Sequence, residues 1–337
     1  MQSRWFIIFL CLWQMASASD YNIVYVHIGD TIPNFLQDSI KQSRLFNPGA
    51  KIFVIANEKP LEKFSARFND PNLQFVTCES LQPSSYHKIF DKKHRYDMRW
   101  PQNFWRYATE RFFYIDELLD KYKLSNVFHL ESDNMLYVNL GDLLTIFEKN
   151  YQSIGATFDN DKRCIAGFIY VRDYQGIHRF VEYVSEQAKN NKNDMELLAS
   201  YKRKSPSEFI DYLPIIFPDY LVYHKLKSQM GHHSKEPKHF ANHFDQFNSI
   251  FDAAALGQFL GGNDPIHKEA AKNGFINERC LFNPSLLCFT WEKDSEGRRI
   301  PYIIYRKKKY RINNLHIHSK RLHEFTSQET SLIAFED

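Results

Sequence analysis

Short apolar runs alternate with amphipathic stretches along most of the chain. Residues 22–28 (N-I-V-Y-V-H-I) form a β-branched run closed by Gly29-Asp30, the pattern of a buried strand. From Pro33 the apolar positions Phe35, Leu36 and Ile40 fall at helical spacing, and Asn47-Pro48-Gly49 ends that stretch. Residues 51–56 (K-I-F-V-I-A) and 73–77 read as a second and third strand, with a short helix over 60–68 between them. Residues 84–98 show no period and are expected to be irregular. Residues 104–119 predict a long helix, because Phe104, Ala108, Arg111, Phe112, Ile115 and Leu118-Leu119 lie three or four apart. It leads directly into the apolar run 127–130. Beyond that run the pattern predicts a short edge strand at 135–138, a helix at 143–147, strands at 153–157 and 165–172, and a helix at 174–188. Asn193-Asp194-Met195-Glu196 then caps a further helix. Strands alternating with helices imply the α/β class, with a mostly parallel sheet and ligands at the carboxyl ends of its strands.

Composition narrows this only a little. The 337 residues are 43% hydrophobic and 25% charged, enough for one large α/β domain. A net charge of +3 gives no support to a nucleic-acid partner. The first 18 residues follow another plan: Arg4 is the positive start, Trp5 to Trp13 the apolar core and Ala16-Ser17-Ala18 a cleavage pattern. This predicts a cleaved signal peptide and a chain exported to the outside or to an organelle lumen, with no stable transmembrane segment once mature. An uncleaved anchor is the alternative. Cys78, Cys164, Cys280 and Cys288 remain after cleavage, which allows one or two disulfides without naming a pairing.

Candidate chemistry concentrates where the run 127–130 ends, at Glu131-Ser132-Asp133. Acids two apart at a strand end leave one face, and they repel unless a cation lies between them. A hard divalent ion accepts such oxygens and keeps positions open for phosphates. A solvated turn is the plainer reading. Gly167, inside the run A-G-F-I-Y-V-R, marks a close approach of backbone or ligand. In the segment D-A-A-A-L-G-Q-F-L-G-G at 252–262, Asp252 reads as a helix cap or first-turn residue. Gly261-Gly262 reads as the stop, and Asp252 and Gln258 as polar residues with hydrogen bonds to make. In N-L-H-I-H-S-K at 314–320, strand alternation sets His316 and His318 on one face, and imidazole is a competent third ligand beside two carboxylates. The tract holding His224, His232, His233, His239 and His243 is the competing histidine cluster.

The E-S-D segment resembles the D-x-D-type motif of nucleotide-sugar glycosyltransferases with the GT-A fold, glutamate replacing the first aspartate. The glycine strand is similar to one common in GT-A enzymes, and the D-A-A-A segment and N-L-H-I-H-S-K ending, in that order, are similar to features of uncharacterised glycosyltransferase-like proteins. The resemblance spans about residues 22–325. It implies a GT-A-like fold: a Rossmann-type, mostly parallel central sheet flanked by helices, with a C-terminal acceptor-side region. It further implies a divalent cation, Mn²⁺ or Mg²⁺, held by Glu131, Asp133 and one of His316 and His318. Donor contacts would come from His27 and Asp30 at the first strand's end, Arg106 or Arg111 at the diphosphate, Gly167 along the sugar pocket, Gln258, and Lys320 at the diphosphate. The base or sugar-orienting acid would be Asp194, Glu196 or Asp252. Read from the residues alone, the two arginines equally suit surface pairs with Glu110 or Asp116, and Asn193 or Asp194 a plain helix cap. Glutamate at 131 leaves open whether that residue binds the ion or the ribose. The expected activity is metal-dependent transfer of a hexosyl or pentosyl group from a nucleotide-sugar to a carbohydrate, protein or lipid acceptor. A non-catalytic carbohydrate-binding or interaction protein on this scaffold and a metal-dependent phosphodiesterase are the alternatives. The expected plan is a signal peptide at 1–18, one GT-A-like domain at 19–325 with an insertion or lid at 201–247, and a tail at 326–337.

Overall fold

A computed structural model describes residues 20–98, 103–205, 208–265 and 272–328. The expected signal peptide at 1–18 and all but the first residues of the expected tail lie outside them. The first half alternates as the apolar pattern requires. β1 (Asn22–His27), α1 (Phe35–Phe46), β2 (Lys51–Ala56), α2 (Glu58–Ser65) and β3 (Leu73–Thr77) are followed by α3 (Ser85–Lys93), α4 (Asn103–Tyr122) and β4 (Val127–Leu130). Then come β5 (Asn134–Leu136), α5 (Leu140–Asn150), β6 (Ile154–Asn160), β7 (Arg163–Val171), α6 (Tyr174–Gln187), α7 (Asp194–Lys204) and β8 (Ile210–Tyr212). The last third holds α8 (Pro218–Tyr223), α9 (Phe244–Phe247), β9 (Ser249–Ile250), α10 (Ala255–Gly261), β10 (Cys288–Lys293), β11 (Arg299–Tyr305), β12 (Lys308–Ile312) and β13 (Asn314–His316).

The main sheet has the order β3-β2-β1-β4-β7-β6-β8. β1, β2, β3 and β4 pair in parallel, β7 runs against β4 and β6, and β8 is parallel to β6. Only β7 is reversed, so this is the mostly parallel α/β sheet expected. Its order turns about β1: the chain steps outward to β2 and β3, then returns across β1 to β4. Such a reversal opens a crevice at the carboxyl ends of the two central strands, where ligands of open α/β sheets bind. β1 and β4 are buried almost throughout, as strands covered on both faces must be.

Two small sheets complete the fold. β13 pairs antiparallel with β5, and β10-β11-β12-β9 form a third. The segment 84–98 departs from expectation: α3 occupies it, with the Ser84 hydroxyl accepting from the His87 amide at its start. Few aliphatic residues mark α3, because its inward face is built from His87 and Phe90. Residues 201–247 also differ from an overhanging lid. β8 is the last strand of the main sheet, and Leu213, Ile216, Phe217 and Phe240 are buried in its flanking cores. Cys78, Cys164, Cys280 and Cys288 are all free thiols, the first three buried. No helix of the described residues is long and apolar enough to cross a membrane.

Candidate metal and donor site

β4 ends at Leu130 and β5 starts at Asn134, so Glu131-Ser132-Asp133 is the turn between them. The turn is pinned by the Glu131 amide donating to the Gly167 carbonyl (3.0 Å) and the Asn134 amide donating to the Glu131 carbonyl (3.0 Å). Across β5 the register sets His316 opposite Asn134. The Ile317 amide donates to the Asp133 carbonyl at 2.8 Å. The late histidine strand is thus stitched to the acidic turn by its own backbone.

Buried amides hold the arrangement from behind. Asn314 Nδ2 donates to Asn134 Oδ1 (3.0 Å), and Asn134 Nδ2 donates to the Gly167 carbonyl (2.8 Å). The Asp252 amide donates to Asn314 Oδ1 (3.1 Å). Two glycines let His316 in. A side chain on Gly167 would overlap the His316 ring, and one on Gly257 would overlap the His316 backbone. Gly257, Asn134 and Asn314 were not singled out in the sequence. For Gly257 the available signal was a glycine inside an apolar helix.

The functional atoms converge on the imidazole of His316. Its Nε2 lies 3.0 Å from Asp133 Oδ1 and 2.9 Å from Glu131 Oε2. Lys320 pairs with Asp133 Oδ2, and Arg111 bridges Glu131 and Asp194 Oδ2, the latter at 2.7 Å. The His318 ring meets that of His316 edge-on at 4.4 Å between centroids, and Gln258 Nε2 sits 2.7 Å from His318 Nδ1. Burial alone would raise both carboxyls of the turn. Arg111 and His316 instead hold Glu131, and Lys320 and His316 hold Asp133, well below the ordinary range. Burial opposes charge on His316, but Asp133 and Glu131 carry its pKa up to about 10. His318 is driven the other way, to about 3, by burial and the neighbouring His316 charge. Burial also lifts Asp194 to about 6 despite Arg111.

The donor set fits a divalent ion. Asp133, His316 and His318 each offer a ligand atom, all within 4.8 Å of one another. Adjacent ligands of an octahedral ion bonded at ~2.1 Å are about 3.0 Å apart, which matches the spacing of His316 Nε2 from Asp133 and Glu131. One or two carboxylates with imidazoles suit Mn²⁺ better than Mg²⁺. Lys320 and His316 bring positive charge to the same carboxylate, that of Asp133.

Several expected site residues lie elsewhere. Arg106 is engaged with Asp91 and Glu110 on the side of α4, so the surface pair, not a diphosphate contact, describes it. Glu196 is exposed and completes a capping box with Asn193, which removes it from the candidate acids. Asp252 does not head α10 as a simple cap. Its carboxylate accepts from the amides of Leu256 (2.9 Å), Gly257 (2.8 Å) and His316 (2.9 Å). Fully buried and occupied in this way, it positions His316 and is not placed to act as a base. His27 turns its Nε2 to the Thr31 carbonyl at 2.8 Å, and burial lowers the pKa of the ring. Asp30 is exposed beyond it, at the carboxyl end of β1. Of the competing histidines, His239 pairs with Glu236 and His243 faces Asp211, and none reaches the turn. A cavity of about 520 Å³, lined by Ser80, Asp116, Glu117, Tyr174 and His178 among others, is lined by no site residue.

No family model matches the chain and no curated protein matches it. Among solved structures it is similar to mouse xyloside xylosyltransferase 1 in its apo form, at 8% identity and a TM-score of 0.41, over 60% of this chain and 90% of that one. It is also similar to the galactosyltransferase LgtC with donor and acceptor sugar analogues, at 13% identity and a TM-score of 0.42, over 65% and 81% of the two chains. A third is the mannosyltransferase Ktr4p of S. cerevisiae, at 14% identity and a TM-score of 0.40, over 58% and 69%. All three are glycosyltransferases, the class that the sequence motifs resemble.

Proposed function

We propose that the protein is a metal-dependent glycosyltransferase of GT-A type, which transfers a hexosyl or pentosyl group from a nucleotide-sugar. The observation that carries this is the meeting of Glu131, Asp133 and His316 at one point, beside His318 and Lys320, where the strand order reverses between β1 and β4. Asp133, His316 and His318 would hold a divalent cation, preferably Mn²⁺. A bound ion supplies electrostatic stabilisation for the diphosphate that departs from the sugar. Lys320, on a flexible stem, adds positive charge to the same diphosphate. Arg111 fixes Glu131, whose carboxylate would stand beside the ion or the ribose. Asp194, buried and held by Arg111, orients the sugar. His27 and Asp30 face the nucleoside from the end of β1. We take residues 19–325 as one catalytic domain, exported behind the leader at 1–18.

One observation favours a second reading. The carboxylates are already balanced by Arg111, His316 and Lys320, as they would be in a scaffold that binds carbohydrate without an ion. Calorimetry with a panel of nucleoside diphosphates, with and without Mn²⁺, separates the two. The enzyme reading expects binding that requires Mn²⁺, followed by turnover of a nucleotide-sugar. Binding that ignores the metal, with no turnover of any donor, would establish the scaffold.

A further inference from the structure

We propose that a second cavity, between the start of α4 and the start of α7, is an acceptor subsite for one pyranose ring. This rests on the glycosyltransferase reading and adds the acceptor's chemistry. The cavity measures about 200 Å³ and is lined by Tyr96, Asp97, Trp105, Asn191 and Asn193. Ligand pockets for larger molecules run to ~300–1,000 Å³, so this one suits a single small ring and is too small for a nucleoside diphosphate.

The lining selects the ligand. Trp105 is 37% exposed, with Phe104 edge-on to it at 5.1 Å between centroids. A large flat apolar face beside polar groups suits a sugar, whose axial C–H groups pack on the ring while its hydroxyls lie around the edge. Asparagine side chains both donate and accept, which matches hydroxyls that do the same. Among the described residues the lining is aromatic and polar, with Asp97 beside the two asparagines.

The walls are fixed in advance. The Tyr96 hydroxyl donates to the Lys192 carbonyl and lies 3.2 Å from Thr109 Oγ1, while Thr109 Oγ1 donates to the Trp105 carbonyl at 2.9 Å. Asn193 is the cap of α7, its Oδ1 accepting from the Glu196 amide at 3.0 Å. The next residue, Asp194, reaches Arg111, and Arg111 reaches Glu131. One ion-pair chain thus links the α7 start, which forms a wall of this cavity, to the acidic turn.

The test is saturation-transfer NMR on the mature full chain with methyl glycosides of glucose, galactose, mannose, xylose and N-acetylglucosamine. At least one should bind with millimolar affinity. Trp105→Ala should weaken it by tenfold or more, about 1.4 kcal/mol, and Trp105→Phe should retain part of it. Mn²⁺-dependent binding of nucleoside diphosphates should be the same in all three proteins. Wild-type protein that binds none of the glycosides, or a Trp105→Ala variant that binds them unchanged, would overturn the subsite. So would preferential binding of tetramethylammonium, which would make the cavity a cation site. Glycoside binding that depends on Trp105 in a chain with no nucleoside diphosphate affinity would keep the subsite and overturn the donor reading alone.

Discussion

His316 is the residue on which the site depends, and its surroundings divide into parts that yield and parts that do not. A side chain on Gly257 would meet the carbonyl, carbon and amide of the His316 backbone, which β13 cannot move. Gly257→Ala should cost several kcal/mol, beyond the ~1–3 kcal/mol usual for overpacking, and calorimetric melting would register it. The atoms nearest a side chain on Gly167 belong to the His316 ring and the Asn134 side-chain amide, not to backbone. Gly167→Ala should stay folded and lose Mn²⁺ affinity; unaltered Mn²⁺ binding would show that His316 is not a ligand. Lys320 gives the opposite expectation. Because its ammonium pairs with Asp133, it competes with an incoming ion. Lys320→Met should raise Mn²⁺ affinity in the absence of nucleotide by roughly tenfold or more, in line with the ~1.5–3 kcal/mol of a charge-assisted hydrogen bond. The same variant should bind nucleoside diphosphates more weakly. Calorimetry that finds both affinities unchanged would remove Lys320 from the site.

At the scale of elements, periodic apolar pattern was a good guide and its absence a poor one. β2 and β3 have the bounds that their apolar runs predict, and α4 and α6 agree to within a few residues. α3 was illegible because its buried face is an ionic one. His87 Nδ1 lies 2.8 Å from Glu117 Oε1, its Nε2 lies 3.4 Å from Glu110 Oε1, and the ring stacks on Phe113 at 4.9 Å. Asp252 looked like a cap because it precedes an alanine run, and only the fold brings the His316 amide to its carboxylate. The α3–α4 contact carries its own pH dependence. Burial opposes protonation of His87, but Glu110 and Glu117 raise its pKa to about 9, above an unfolded value near 6.5. Its contribution is therefore complete below about pH 6.5 and is lost as pH rises through about 9, at most about 3 kcal/mol. Melting temperature should fall over that window in the wild type and fall less in His87→Gln. Equal slopes in the two proteins would refute the assignment.

At the scale of the whole molecule, what the sequence could not carry was distance. The acidic turn and the late histidine are 183 positions apart, and no local pattern states that β13 lies against β5. Their shared chemistry could be read from the residues; their meeting depends on how the sheets are wound. The same winding sets the turn at the reversal between β1 and β4, and draws 201–247 into the sheet through β8 despite the prolines that hide its strand. The claim that this meeting point holds an ion in the service of sugar transfer is tested most directly at Asp133. The residue is 6% exposed and paired with His316 and Lys320, so Asp133→Asn should lower the melting temperature without unfolding the chain at room temperature. Nucleotide-sugar hydrolysis or transfer should be followed over a Mn²⁺ titration for wild type and Asp133→Asn, both verified as folded. The expected result is a loss of roughly 10²–10⁴ in rate that no Mn²⁺ concentration restores, several kcal/mol at 1.36 kcal/mol per tenfold. A folded Asp133→Asn protein that turns over donor at the wild-type rate would contradict the account.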